Sequence, residues 1–507
     1  MAAVPAGGVV PAGSFESRAA AALLAAAAVS MALLAITPDA TAAALLARLA
    51  PDGELGPATR STLRVGRLAA VPALAMLGLA WFRRDALRRG LAWLLAVLAA
   101  VPHGRWMALL GCVALAPRLA WVALVPSIPW SDFLEYHELA ERLLETGRFA
   151  TAEGAPTAFR PMGYPAFLAA VYALGGGIGA VGVLNALFGA ATSLLTWELA
   201  RHRGGEGPAR LAALFVALMP SQIGYTSLLA AEVPFTAAAL GSLVLAQRAF
   251  AERSGRAWWL AAACGALLGA ALMLRAHAAA AALAIALAGA LAGRRALGLV
   301  AVVAVVSAVL PAAWGLRNLR ELGAFVPFST NGGVNLHFGN NGMTNGTGLE
   351  LLDPQKDATS GIADEVERSR AGTRLALDFW REHPEALPAL AARKLFWFSA
   401  TDGVWTHWAF GGLPWERKET ARRAALALAT LAHALLLAAA LFELALFRRR
   451  ADQRASAEPL AEWYLAFTVL LAVVAIAQER YRFPVAPVLA MAAGLLAARF
   501  AARDQRL

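Results

Sequence analysis

The residues best suited to chemistry sit in "PWSDFLEYHELAERLLETGRF", residues 129–149, directly after a long apolar run. On a helix over 131–147, Asp132 shares a face with Tyr136, and Glu135 lies one turn on. A carboxylate so placed can take a proton from a hydroxyl as a general base. The same side chains can do something plainer: Ser131 or Asp132 caps the helix and Glu135 completes a capping box. The residue types alone leave both readings open. Further along the chain, Arg160, Glu232, Arg275, His277, Arg317, Arg480 and Arg482 each fall at the end of an apolar run or in a hydrophilic segment. Fixed guanidinium groups in a water-poor site can hold a phosphate and stabilise the charge it gains on departure. Each also has a structural reading. Arg480 and Arg482 can anchor at a membrane interface beside Tyr481, and Arg275 with His277 can cap a tight turn. Glu232 suits a helix N-terminus, and Arg160 can bond loop backbone.

What positions these groups is a set of apolar helices. The 507 residues are 59% hydrophobic and 16% charged, with mean hydropathy +0.57. Soluble domains carry about 25% charged residues, so the chain reads as an all-α polytopic membrane protein. A span takes roughly 20 apolar residues. The candidates are 19–37, 67–82, 106–126, 178–199, 209–228, 232–249, 257–274, 276–293, 297–315, 421–446, 461–477 and 483–501. A shorter run at 90–102 is a thirteenth span, a re-entrant piece or an interfacial helix. The run at 19–37 lacks a convincing cleavage site and reads as a retained helix. Arginines gather in alternate short loops: Arg201, Arg203 and Arg210; Arg248, Arg253 and Arg256; Arg294 and Arg295; Arg448, Arg449, Arg450 and Arg454; Arg503 and Arg506. The positive-inside rule makes those loops cytoplasmic. The net charge of +11 therefore reports topology, and no nucleic-acid partner is expected. The acid-rich 127–177 and the hydrophilic 316–420 then face outward, and the ionisable groups named above collect at that one face. A transporter more often places such groups at the bilayer midplane.

The chain divides into a membrane extension at 1–104 with two or three hydrophobic helices, and a transmembrane core at 105–315 that includes the outer loop 127–177. A looped region with short helices at 316–420 and closing helices at 421–507 follow. Within the looped region, "STNGGVNLHFGNNGMTNGTG" (329–348) is rich in turn-forming Gly and Asn. Two helical patterns follow at 361–382 and 385–399. Asn331, Asn335, Asn340 and Asn341 read as turn residues shaping a loop over the site. His103, His337, His383 and His407 form no metal-type pair, and Cys112 and Cys264 both sit in apolar runs. Asn345-Gly-Thr347 matches a glycosylation acceptor, a pattern frequent by chance.

"SDFLEYHELAERLLETGRF" followed by "FRPMGYPAFLA" resembles the first outer loop of the GT-C polytopic glycosyltransferases. The similarity is greatest to the protein mannosyltransferase branch and the lipid A aminoarabinose or galacturonic acid transferases (families 39 and 83). "LLAAEVPFTAAAL" (228–240), "GALLGAALMLRAH" (265–277), "WGLRNLRELGAFVPFSTNGGVNLHFGNN" (314–341) and "QERYRFPVAPVLA" (478–490) agree with that family in order, so the resemblance covers roughly 105–500. One departure is Phe133, which stands where many members carry a second acid. A partner acid for Asp132 then falls to Glu135 or Glu232.

The resemblance implies a GT-C-like bundle of about 12–13 helices. It implies transfer of a sugar from a polyprenyl phosphate (or diphosphate) carrier to a lipid, glycan or protein acceptor at the outer face; the Arg-rich, Lys-poor composition suggests a bacterium, and so its plasma membrane. Asp132 is the expected base. Arg275, Arg480 and Arg482 are expected at the donor phosphate, with Glu135, Tyr136, Arg160, Glu232, Asn335 and Asn340 supporting. One base and direct displacement imply inversion. No tightly bound cofactor is expected. Members of the family differ in their need for a divalent metal, and a lone Asp132 favours independence. The alternatives are a transporter or flippase for a lipid-linked glycan and a polymerase or ligase acting on one.

Overall fold

The computed structural model describes residues 83–447 and 459–502, apart from 415 and 417. The expected spans at 19–37 and 67–82 lie outside the described residues. Among those described, regular structure is helical throughout, with one isolated bridge between Ala150 and Pro156. In chain order the helices are α1 (Arg84–Ala100), α2 (His103–Leu124), α3 (Asp132–Thr146), α4 (Gly163–Ala173), α5 (Ile178–Gly204), α6 (Glu206–Leu218), α7 (Pro220–Gly224), α8 (Glu232–Ala251) and α9 (Arg256–Leu274). Then come α10 (Ala279–Ala292), α11 (Arg294–Leu322), α12 (Asn331–Gly339), α13 (Glu365–Glu382), α14 (Leu387–Ser399), α15 (Val404–Gly411), α16 (Lys418–Phe447), α17 (Leu460–Val474) and α18 (Ala486–Ala501). A 3₁₀ turn over Glu479–Val485 runs directly into α18.

Among the described residues, seven segments are long and apolar enough to cross a membrane: α2, α5, α8, α9, α11, the Lys418–Glu443 part of α16, and Glu479–Ala501. The shorter apolar helices Gly163–Ala173, Ala276–Ala292 and Leu460–Val474 accompany them. The chain is a multi-pass membrane protein. One expectation changes, and the run left open at 90–102 takes a definite form. The run at 90–102 belongs to the 17-residue α1, which packs on α6 and α18. The expected span 209–228 is broken after Leu218, because Pro220 supplies no N–H and its ring clashes with a continuing turn. The carbonyls this break frees are met by Arg118 of α2. Its guanidinium donates to Val216 O at 3.1 Å and Ala217 O at 2.8 Å.

Helix α8 lies at the centre, against α5, α9 and the Glu479–Val485 turn. Its neighbours approach closely through small residues. A Cβ on Gly265 or Gly269 of α9 would come within 2.8 Å of Val303 O or 2.9 Å of Ser307 O on α11. This is the small-xxx-small packing by which membrane helices meet. A similar contact ties the first loop to α9: a Cβ on Gly163 would stand 2.5 Å from the Met273 carbonyl. The start of α4, three residues after Arg160, is thereby set against the end of α9, two residues before Arg275.

The segment 329–348 differs from the turn-rich loop its composition suggests. Asn331–Gly339 forms the nine-residue α12. Its glycines serve packing: Gly333 leaves no room for a Cβ against Ser369 O of α13, nor Gly339 against Ala475 O just beyond α17.

Candidate active site

Helix α3 begins at Asp132, preceded by Ser131 at φ 56° and ψ −137°, the one non-glycine residue of positive φ among those described. Such strained backbone persists where the surroundings over-determine it, often at functional sites. Ser131 donates no side-chain cap, and Asp132 does not cap the helix either. Both of its oxygens are taken by arginines: Oδ1 accepts from Arg160 Nη2 at 2.8 Å, and Oδ2 from Arg480 Nη1 at 2.9 Å. Arg160 Nε donates to Glu135 Oε2 at 2.7 Å. The carboxylates of one helical face thus hold one guanidinium between them.

The aromatic surroundings fix these arginines. Arg160 lies over Tyr136 and Phe159, at 5.8 and 5.3 Å from the ring centres. Arg480 lies over Trp408 and Tyr481, at 5.7 and 5.4 Å. Tyr136 is buried edge-on against Tyr164 of α4. Tyr481 in turn stacks on His277 at 4.5 Å.

Next to this group is a second pair. Glu232, 1% exposed at the first turn of α8, accepts at Oε1 from Arg275 Nη2 at 2.6 Å. Glu232 Oε2, Arg275 Nε and Arg480 Nε are all buried with no hydrogen-bond partner. Buried polar atoms are nearly always satisfied, so three orphans in one cluster mark a place that a ligand's polar atoms can complete. Burial works against ionising Asp132. The charges of Arg480 and Arg160, with a weaker pull from Arg275, outweigh it and hold the carboxyl well below the usual carboxylate range.

Loops are braced to deliver these groups. Glu365 of α13 accepts from Thr157 Oγ1 at 2.6 Å and Ala158 N at 2.7 Å. Arg317 of α11 donates to Thr157 O and Phe149 O at 2.9 and 2.7 Å. On the far side, Glu479 Oε2 accepts from Gly403 N and Val404 N at the start of α15, at 2.8 and 2.9 Å. A carboxylate there also suits the helix dipole.

Of the residues expected from sequence, Asp132, Glu135, Tyr136, Arg160, Glu232, Arg275 and Arg480 come together. Three do not join them. Arg482 is 2% exposed and spends its donors within the protein, on Phe398 O, on Thr401 O at 2.5 Å and on Asp402 Oδ1 at 3.1 Å. Burial raises the Asp402 carboxyl, and Arg482 opposes that shift. Asn340 is buried too, and its amide donates to Leu336 O, Val474 O and Ala475 O. Asn335, on α12, makes no hydrogen bond to the cluster. Sequence reading passed over Glu479, Trp408 and Lys394. In "QERYR", Gln478, Glu479 and Arg482 hold the protein, while Arg480 faces the site.

No three His, Cys, Asp or Glu side chains among the described residues gather into a group that could hold a metal ion. Partly buried Asp132 accepts from arginine at both oxygens, and buried Glu232 at one.

Residues 159–314 match the family described as dolichyl-phosphate-mannose-protein mannosyltransferase. The matched stretch contains Arg160, Glu232 and Arg275, and over it the resemblance to GT-C glycosyltransferases read from sequence holds. No curated protein matches the chain in sequence. Among solved structures, the chain is similar to the Archaeoglobus fulgidus oligosaccharyltransferase in complex with zinc and sulfate. The identity is 16% and the TM-score 0.44, covering 77% of this chain and 48% of that one. It is also similar to ArnT from Cupriavidus metallidurans bound to undecaprenyl phosphate, with 16% identity and a TM-score of 0.41 over 80% and 79% of the two chains. The chain spans about half the length of the archaeal protein.

Proposed function

We propose that the protein is an inverting glycosyltransferase. It moves a sugar from a polyprenyl-phosphate carrier to a hydroxyl of a lipid, glycan or protein, at the outer face of a bacterial plasma membrane. The observation that carries this reading is the Asp132 carboxylate held between Arg160 and Arg480, beside the Glu232–Arg275 pair. The family match over 159–314 supports it.

The chemistry follows from the charges. Clamped by two guanidinium groups, Asp132 is a weak base. A donor phosphodiester reaching Arg480 competes with Asp132 for its donors and frees an oxygen for the acceptor. The acceptor hydroxyl then gives its proton to Asp132 as its oxygen attacks the anomeric carbon. The bond from that carbon to the phosphate oxygen breaks on the opposite side, and polyprenyl phosphate leaves with its added charge against Arg480 and Arg275. A single displacement inverts the sugar carbon. No step runs through a metal.

The test is the envelope lipid and glycan profile of a deletion strain complemented with wild type, Asp132→Asn or Glu135→Gln at equal expression. Loss of a general base costs roughly 10²–10⁴-fold, so Asp132→Asn leaves the missing sugar unrestored. Glu135→Gln keeps an acceptor for Arg160 and restores most of it. Full restoration by Asp132→Asn overturns the transferase reading in favour of a transporter for the lipid-linked glycan.

A further inference from the structure

Lys394 of α14 is 1% exposed, yet it makes no hydrogen bond to the charged groups that meet at Asp132. Its ammonium donates to Val473 O at 2.8 Å, Val474 O at 3.3 Å and Ala475 O at 2.9 Å, and to Asn340 Oδ1 at 2.8 Å. The three carbonyls are those left open where α17 ends. Asn340 Nδ2 donates to the same Val474 and Ala475 carbonyls, each at 3.0 Å. Trp380 Nε1 donates to Asn340 Oδ1 at 3.0 Å and fixes the amide's orientation. Burial pushes the Lys394 ammonium down to about 7. The four oxygens and the negative end of the α17 dipole act against that and favour the charged form.

What this arrangement holds is the non-helical stretch that leads to Arg480. Beyond Ala475 the grip continues: Ala477 N donates to Gly346 O at 3.0 Å, and Gln478 Nε2 to Thr347 O at 3.0 Å. Gly339 lets α12 close on the Ala475 carbonyl. The Gly/Asn-rich segment 339–348 is therefore a cradle for 475–478, and Glu479 pins the next residue to α15. Arg480 follows at once, with its reach to Asp132 already set.

We propose that Lys394 and Asn340 are positioning residues for Arg480: by fixing the carbonyls at 473–475 they set where its guanidinium meets Asp132 and an incoming phosphate. The proposal rests on the reading that Arg480 receives the donor phosphate. Neither residue touches substrate. Each acts through five residues of backbone.

The test uses undecaprenyl phosphate as probe, titrated against the purified full chain in detergent, with wild type, Arg480→Gln, Lys394→Met and the double variant. Charged hydrogen bonds to phosphate are strong, so Arg480→Gln weakens binding by tens-fold and Lys394→Met by about tenfold. Residues that act as one unit are not additive, so the double variant binds no more weakly than Arg480→Gln alone. Hydrogen exchange rises over 475–482 in Lys394→Met and stays level in α5 and α8. If Lys394→Met fails to fold, Asn340→Ser goes through the same cycle with the same expectation. Wild-type affinity in a folded Lys394→Met, or losses that multiply in the double variant, overturns the positioning role. Absence of binding by wild type, or an Arg480→Gln that binds as wild type does, instead overturns the phosphate reading beneath it.

Discussion

At the scale of single residues, the candidate site is a carboxylate held by two arginines, which the proposed mechanism has a donor phosphate release. Asp132 is ionised well below the usual carboxylate range because Arg480 and Arg160 face it. The sign follows from that lowered value: in the proposed mechanism the anion is the active form, and it is lost only as the pH falls through the depressed folded pKa. The ion pairs' contribution to stability, present above the ordinary carboxylate pKa, is lost in the same low window. kcat/KM reports ionisations of the free enzyme, so its profile is expected to stay level from pH 7 down to about 4, where ordinary carboxylates titrate. An acid limb centred near 6 assigns proton removal to another group. Sequence already marked Asp132, Arg160, Glu232, Arg275 and Arg480. It did not separate Arg480 from Arg482, two residues apart. In an irregular turn no periodicity says which guanidinium faces a cavity and which is buried on Thr401 and Asp402.

At the scale of elements, close backbone contacts set distances between charged groups. Gly163 presses on Met273, and so couples the turn that carries Arg160 to the helix end that carries Arg275. The Cβ in Gly163→Ala meets backbone, which cannot rotate away, so overpacking of roughly 1–3 kcal/mol is expected. A lower thermal midpoint together with weaker undecaprenyl phosphate binding checks it. An unchanged midpoint shows that α4 slides freely on α9. Helix positions were largely legible, because apolar runs and amphipathic patterns at 361–382 and 385–399 report burial directly. Asn331–Gly339 was not legible. Its glycines favour turns by local propensity, but here they allow α12 to meet α13 and the end of α17, a tertiary reason no local pattern carries.

At the scale of the whole molecule, ionisable residues sort by end. Opposite the site, Glu198 pairs with Arg201 and Arg248, and Arg203 with Glu462. These lie at the ends where arginine-rich loops predict the cytoplasm. In a background with Cys112 and Cys264 replaced, a single cysteine at Glu145 is expected to react with an impermeant maleimide in intact cells, and one at Arg253 only after lysis. The reverse pattern places the site inside. The hydrogen bond from Arg480 to Asp132 joins residues 348 apart in sequence. Its two halves leave the ribosome far apart in time, at about 5–20 residues per second. Asp132 therefore waits tens of seconds in the membrane's surface layer before its partner is made. A chain cut short anywhere in that interval carries a complete first loop without its closing ion pair, so under the proposed mechanism competence requires synthesis and insertion to run to 480.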